Sequence, residues 1–207
     1  MTKLDNKLNI IQDYKIAIEI TDNPYDFTIA DLFKMATRIN KKRQFLFVST
    51  VLGKHLAVQP QVPILTGALL AMMYYERLTG KEALLVQSIV HAIQNKQNVQ
   101  ETLQQVEEQG LELAEDVLFI GFAETATALG HAVFNVFKSN ATYIHTTREL
   151  VPELEPFVTF EEEHSHATSH RVYCEQPEKL LQAKQIVLID DEITTGNTVI
   201  NIIETLH

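Results

Sequence analysis

The sequence predicts an α/β fold organised around a parallel sheet, and three observations carry that expectation. Residues 117–121 and 186–189 are continuous apolar runs, as expected of strands covered on both faces. Each run opens into a short loop containing Gly and Thr, and then into a helical pattern, at 126–137 and from 199 onward. Beyond Gly110, strand and helix patterns alternate, which calls for right-handed crossovers and parallel strands.

The elements follow in order. Residues 14–20 alternate with period two and read as a half-buried strand. Thr28 and Asp31 form a variant capping box that should open an amphipathic helix, with Ile29, Leu32, Phe33, Ala36 and Ile39 on its inner face. Residues 44–49 are a strand candidate, and the prolines at 60 and 63 mark a turn. Residues 64–78 are apolar nearly all round, as in a buried helix that ends near Gly80. Helices are expected over 83–93 and 98–109, the second with Val99, Leu103 and Val106 on one stripe and a solvated Gln/Glu face. The second half then reads strand 117–121, helix 126–137, strand 141–146, short strand 171–174, helix 177–183 and strand 186–189.

With 207 residues and 45% apolar composition, the chain can bury one full α/β core with room for a small accessory portion. Its formal charge of −10 argues against nucleic acid or an anionic membrane as partner, because both need clustered Lys and Arg. Cys174 is the only cysteine, so no internal disulfide can form. The N-terminal residues are polar, and the longest apolar stretch, 63–75, is too short to span a bilayer, so a cytoplasmic location is expected.

The densest chemistry lies at 186–198. Asp190 and Asp191 end a buried strand, where open α/β sheets bind ligands. Thr194, Thr195, Gly196, Asn197 and Thr198 then supply hydroxyls, an unhindered glycine and backbone amides at a helix start, a combination that cradles phosphate. An Asp-capped turn, or the paired acids of a phosphoacceptor domain, would use the same residue types.

This run resembles the 5-phosphoribosyl-1-pyrophosphate (PRPP) motif of type I phosphoribosyltransferases: four apolar residues, two acids, then a Thr/Gly-rich loop. Glu192 departs from it, standing where that family has a small or aliphatic residue. The resemblance implies a three-layer parallel-sheet fold, with residues 1–110 as an N-terminal accessory, hood-like α/β portion and 111–207 as the core. It further implies Mg²⁺-dependent transfer of the 5-phosphoribosyl group from PRPP to a nitrogen of a base-like acceptor, with release of pyrophosphate, as in nucleotide metabolism. Asp190 and Asp191 would bind the ribose hydroxyls directly or through Mg²⁺-bound water, with Glu192 beside them and Thr194 to Thr198 holding the 5-phosphate. A homodimer is compatible with the resemblance. Because residue 207 falls within the helix after the motif, where the resembled fold adds another strand, either the first half supplies a sheet edge or the chain is part of a longer protein.

A second strand–loop–helix junction, 119–130, resembles the pyrophosphate loop of the same enzymes, and Ala123, Glu124 and Thr125 would then meet pyrophosphate through their amides. A helix capped by Thr125 or Thr127 is the plainer reading. Residues 147–170 form a long segment of the kind that serves as a lid. In the resembled enzymes Arg148 would be the basic residue on pyrophosphate, and His164, His166 and His170 would be donors to the departing oxygens. The same histidines with Glu161, Glu162 and Glu163 could instead hold a transition metal, or be simply solvated. Residues 45–55 and 162–170 are similar to a phosphoribosyltransferase-like family encoded in bacterial tellurium-resistance and stress gene clusters. Gly53, Lys54 and His55 then form either a base-side hood element or a strand-ending turn. Two other functions fit the same residues: a non-catalytic module that senses PRPP or a nucleotide, and a metal-dependent hydrolase built on the His cluster.

Overall fold

The alternating N-terminal sequence forms a hairpin, β1 (Asn6–Ile11) against β2 (Tyr14–Ile18), paired antiparallel. These coordinates are a computed structural model that describes residues 6–11, 14–39, 44–161, 169–193 and 195–206. The capping box at Thr28 is present: its Oγ1 accepts from Asp31 N–H at 3.3 Å while the Asp31 carboxylate accepts from Thr28 N–H at 2.7 Å. The helix it opens, α1 (Ile29–Leu32), is a single turn. Phe33–Thr37 is strand β3, not helix, and pairs antiparallel with β4 (Phe45–Ser49). The apolar stripe at 29–39 fits a helix and a strand almost equally. Cross-strand aromatic packing decides it, with the Phe33 and Phe47 rings edge-on at 5.0 Å. Ile39, expected on an inner face, is fully exposed.

Helix α2 (Gln61–Thr79) buries Val62, Leu65, Ala68, Ala71 and Met72 and ends at Gly80, whose φ of +69° permits the left-handed cap. Two amphipathic helices follow, α3 (Val86–Asn95) and α4 (Val99–Gln109); Leu103 and Val106 of α4 face inward while most of its Gln and Glu residues stay exposed. Among the described residues, no helix is long and apolar enough to cross a membrane.

Strand β5 (Leu111–Gly121) leads into α5 (Thr125–Phe134) and β6 (Phe137–His145). Next come a hairpin, β7 (Val158–Glu161) with β8 (Ser169–Val172), then α6 (Pro177–Gln182), β9 (Gln185–Ile189) and α7 (Asn197–Leu206). The parallel sheet has the order β6-β5-β9. The short strand expected at 171–174 lies at 169–172 and pairs antiparallel with β7, outside that sheet. The long segment after β6 is therefore a hairpin in both its arms, with Val158, Phe160 and Val172 buried.

The continuous apolar run in β5 is divided between two cores. Val117 and Phe119 pack under α2 to α5, whereas Leu118 and Ile120 pack under β7, β8, α6 and α7. Both faces of the strand are thus covered, which is why no polar residue interrupts 117–121.

Helix α5 is pressed against both α2 and β5. A Cβ at Gly67 of α2 would lie 2.5 Å from Ala132 Cβ and 2.9 Å from the Ala132 carbonyl carbon. Below α5, Gly121 and Gly130 leave space for the Tyr143 ring, whose hydroxyl donates to the Thr127 carbonyl at 2.6 Å. Burial pushes the Tyr143 hydroxyl up to about 12, so it remains a donor across the physiological range.

Two expectations follow for stability. Gly67→Ala must force α2 and α5 apart and should cost about 1–3 kcal/mol in denaturant unfolding; unchanged stability would contradict the close approach. For Tyr143, the folded-state value lies above the ordinary 10.0, so the stabilisation is fully present below pH 10 and is lost as pH rises to about 12, where only the unfolded chain has already ionised. Wild type should lose stability more steeply than Tyr143→Phe over that window, and equal slopes would contradict the burial of this hydroxyl.

Candidate functional site

The register of the sheet builds the site. Gly121 is paired with His145 of β6 and with Ile189 of β9, so all three strands end on one rung. Three loops therefore leave the same carboxyl edge side by side: 122–124, the turn at Thr146, and 190–196. Backbone bonds tie them together, since Phe122 N–H donates to Ile189 O at 3.0 Å and Thr146 N–H donates to Gly121 O at 2.9 Å.

Asp190 and Asp191 stand directly beyond Ile189. One Asp190 carboxylate oxygen accepts the Asp191 N–H at 2.9 Å, which fixes the start of the turn. Asp191 meets a partner 137 residues away in sequence: Lys54 Nζ lies 2.6 Å from its Oδ2, with the two side chains 30% and 12% exposed for Lys54 and Asp191 respectively. Lys54 is presented by the turn after β4. There the Ser49 hydroxyl accepts N–H bonds from Val51 at 3.2 Å and Leu52 at 3.0 Å, and Gly53 turns the chain with φ +72°. Of the Gly53–His55 triplet, Lys54 is thus the residue that reaches the acid pair.

Between these partners lies a cleft of about 380 Å³. Phe33, Phe47, Val51, Leu52 and Leu70 form an apolar wall, and Ser49, Thr66 and Lys54 supply its polar points. Asp190, Asp191, Glu192 and Ile193 close it on the sheet side. Glu192, which departs from the resembled motif, therefore faces the same space as the two aspartates.

Farther along, Gly196 adopts φ +80° with open space where a Cβ would be, and its carbonyl accepts from Ile200 N–H at 3.0 Å as α7 begins. The glycine is demanded by the left-handed backbone and not by crowding within the protein. Asn197 N–H approaches Thr195 Oγ1 at 3.5 Å, and Thr198 lies in the first turn of the helix. Thr194 lies outside the described residues.

At the neighbouring loop, the N-cap of α5 is Glu124, and neither Thr125 nor Thr127 caps the helix with its side chain. The Ala123–Glu124 peptide is cis. Ala123 N–H is already committed, donating to Thr146 Oγ1 at 2.8 Å.

Arg148 follows an antiparallel bridge between Thr147 and Arg171, and its carbonyl accepts from Arg171 Nη1 at 2.9 Å. His170 is buried on β8 with its Nδ1 2.9 Å from Thr146 Oγ1, which removes it from an exposed lid. His164 and His166, with Glu162 and Glu163, lie outside the described residues. Among the described residues no three His, Cys, Asp or Glu side chains gather as a metal site. Sequence reasoning missed Thr146 altogether and left Lys54 undecided. A lone Thr at a strand end and a lone Lys in a turn carry no periodic signal, and only the sheet register brings them to the loops.

Comparison with curated proteins found no match, and neither did comparison with solved structures. Residues 32–207 match the protein family described as phosphoribosyl transferase. The match covers most of the chain, and the chain belongs to that family.

Proposed function

We propose that this member of the phosphoribosyl transferase family binds PRPP along the carboxyl edge of its sheet and transfers the phosphoribosyl group to a nitrogen of a base-like acceptor. The observation that carries the reading is the level ending of β5, β6 and β9, which sets the acid pair, the Gly196 loop and the 123–125 loop on one edge. In it, Asp190 and Asp191 take the ribose hydroxyls, and the amides and hydroxyls of Thr194, Thr195, Gly196, Asn197 and Thr198 take the 5-phosphate. The loop of Ala123, Glu124 and Thr125 takes pyrophosphate, joined by Arg148. Residues 1–110 act as the hood over the 111–207 core, and the apolar wall of Phe33, Phe47 and Leu52 suits the face of a flat ring.

The paired carboxylates are hard oxygen donors that fit Mg²⁺, held through Asp190 and Asp191. When bound, such an ion would supply positive charge to offset that on the pyrophosphate. Chemically, the C1–O bond to pyrophosphate breaks with oxocarbenium character, the acceptor nitrogen supplies the new bond to C1, and pyrophosphate leaves with the electron pair. The protein's contribution is to orient the two partners and stabilise the charge that gathers on pyrophosphate. His164 and His166 are proposed as donors to those oxygens.

Calorimetry with PRPP and Mg²⁺ tests the site. Charge-assisted bonds are worth roughly 1.5–3 kcal/mol each, so Asp190→Asn and Asp191→Asn should each weaken binding about 10- to 100-fold. Unchanged affinity in both would remove the acid pair from the site. Gly196→Val forces a β-branched residue into the left-handed region, and should abolish PRPP binding while leaving the melting temperature within a few degrees of wild type. Normal binding by that variant would place the 5-phosphate elsewhere. A pyrophosphate-release screen against a panel of nucleobases then separates transfer from sensing, because a sensing module binds PRPP without turnover.

A further inference from the structure

We propose that Thr146 and His170 form a buried clamp that aims the 123–125 loop, making both of them positioning residues for pyrophosphate. The inference rests on the reading of that loop as the pyrophosphate site.

Both side chains are buried. Thr146 and His170 are each 1% exposed. Thr146 Oγ1 accepts the Ala123 N–H at 2.8 Å and lies 2.9 Å from His170 Nδ1. A hydroxyl has one proton and two lone pairs. With the ring neutral and protonated on Nε2, Thr146 donates to Nδ1 and accepts from Ala123, so that all three groups are satisfied. The imidazole is itself held, stacked on Phe160 at 5.2 Å and 20° and edge-on to Phe122 at 6.4 Å and 81°.

Packing alone does not call for these residues. A hydroxyl and an imidazole buried among Phe122, Phe160 and Val172 are costly unless paired, whereas Val and Phe would fill the same volume without that cost. What the polar pair adds is direction. With Gly121 O and Phe122 N–H already bonded to the adjoining strand ends, the Thr146 bond to Ala123 fixes a third successive backbone group. Ala123 thereby spends its amide inward, and the amides of Glu124 and Thr125 are left to meet the anion at the sheet edge. The loop is preorganised without a side chain of its own.

The clamp should act on one ligand and spare the other. Calorimetry on the full chain compares magnesium pyrophosphate with ribose 5-phosphate, which uses the 194–198 loop instead. Thr146→Val should weaken pyrophosphate binding about 10-fold and leave ribose 5-phosphate within about twofold, because one directional bond is lost while the second loop is untouched. Thr146→Ser should restore pyrophosphate affinity, and His170→Phe, which keeps the stacked ring, should show the same selective loss to a smaller degree. Equal losses for both ligands, or no loss for either in Thr146→Val, would overturn the clamp. A wild-type chain that binds ribose 5-phosphate but not pyrophosphate would overturn the assignment of the loop, and the clamp with it. Amide exchange in the wild type provides a check that needs no variant: Ala123 N–H should be protected with or without pyrophosphate, while Glu124 and Thr125 gain protection only when it is added. Rapid exchange at Ala123 would contradict the inference.

Discussion

The register of β5 against its two parallel neighbours governs everything else at this site. Because Gly121, His145 and Ile189 share a rung, the residues immediately after them emerge together whatever their separation in sequence. A one-residue slip of β9 would move Asp190 along the edge and turn its side chain to the other face. The two cores prevent this. Within β9, Ile189 and Val187 pack into the core under α2 to α5 and Leu188 packs against the core under the hairpin and α7, so a slip would turn each set toward the wrong face. Gly121 and Gly130 then bring α5 close enough for its first turn to share the edge with the acid pair.

Electrostatics at the edge run against the net charge. A chain carrying −10 has little long-range attraction for a polyanion, so positive potential must be supplied locally. Lys54 is one source, held 2.6 Å from Asp191 by a turn whose amides converge on Ser49. On the proposed reading, a divalent cation held at Asp191 would compete with Lys54 for that carboxylate. The family's substrate, brought in with Mg²⁺, would free the Lys54 ammonium to meet an anionic or acceptor group across the cleft. The N-terminal portion is thus coupled to the acid pair by charge as well as by the apolar wall it contributes.

Much of the core was legible in the residues. The uninterrupted apolar run at 117–121 identified the central strand, covered on both faces, and that at 186–189 identified its neighbour β9, although Ile186 is 46% exposed and only Ile189 of that run is buried. The family itself was legible in the acid pair and the loop that follows it. Residues 33–37 were misread as helix because Phe33 and Ala36 satisfy a 3.6-residue stripe, and the β4 partner that makes them a strand lies across a connection whose pairing no local pattern records. Strand β7 was hidden in an acidic, His-rich segment, although Val158 and Phe160 alternate as a strand should. His170, grouped with His164 and His166 by spacing alone, points from β8 into the core, where its Nδ1 meets Thr146. The Lys54–Asp191 and Thr146–Ala123 contacts were invisible for a common reason: each joins segments that only the finished sheet brings together.

The most direct measurement is a crystal structure of the chain with PRPP and Mg²⁺. The expected result has the 5-phosphate on the amides of the Gly196 loop, the ribose hydroxyls at Asp190 and Asp191, pyrophosphate against Glu124 and Thr125, and Lys54 Nζ withdrawn from Asp191 Oδ2. PRPP bound away from the carboxyl edge of the β6-β5-β9 sheet, with the Lys54–Asp191 ion pair intact, would contradict the account.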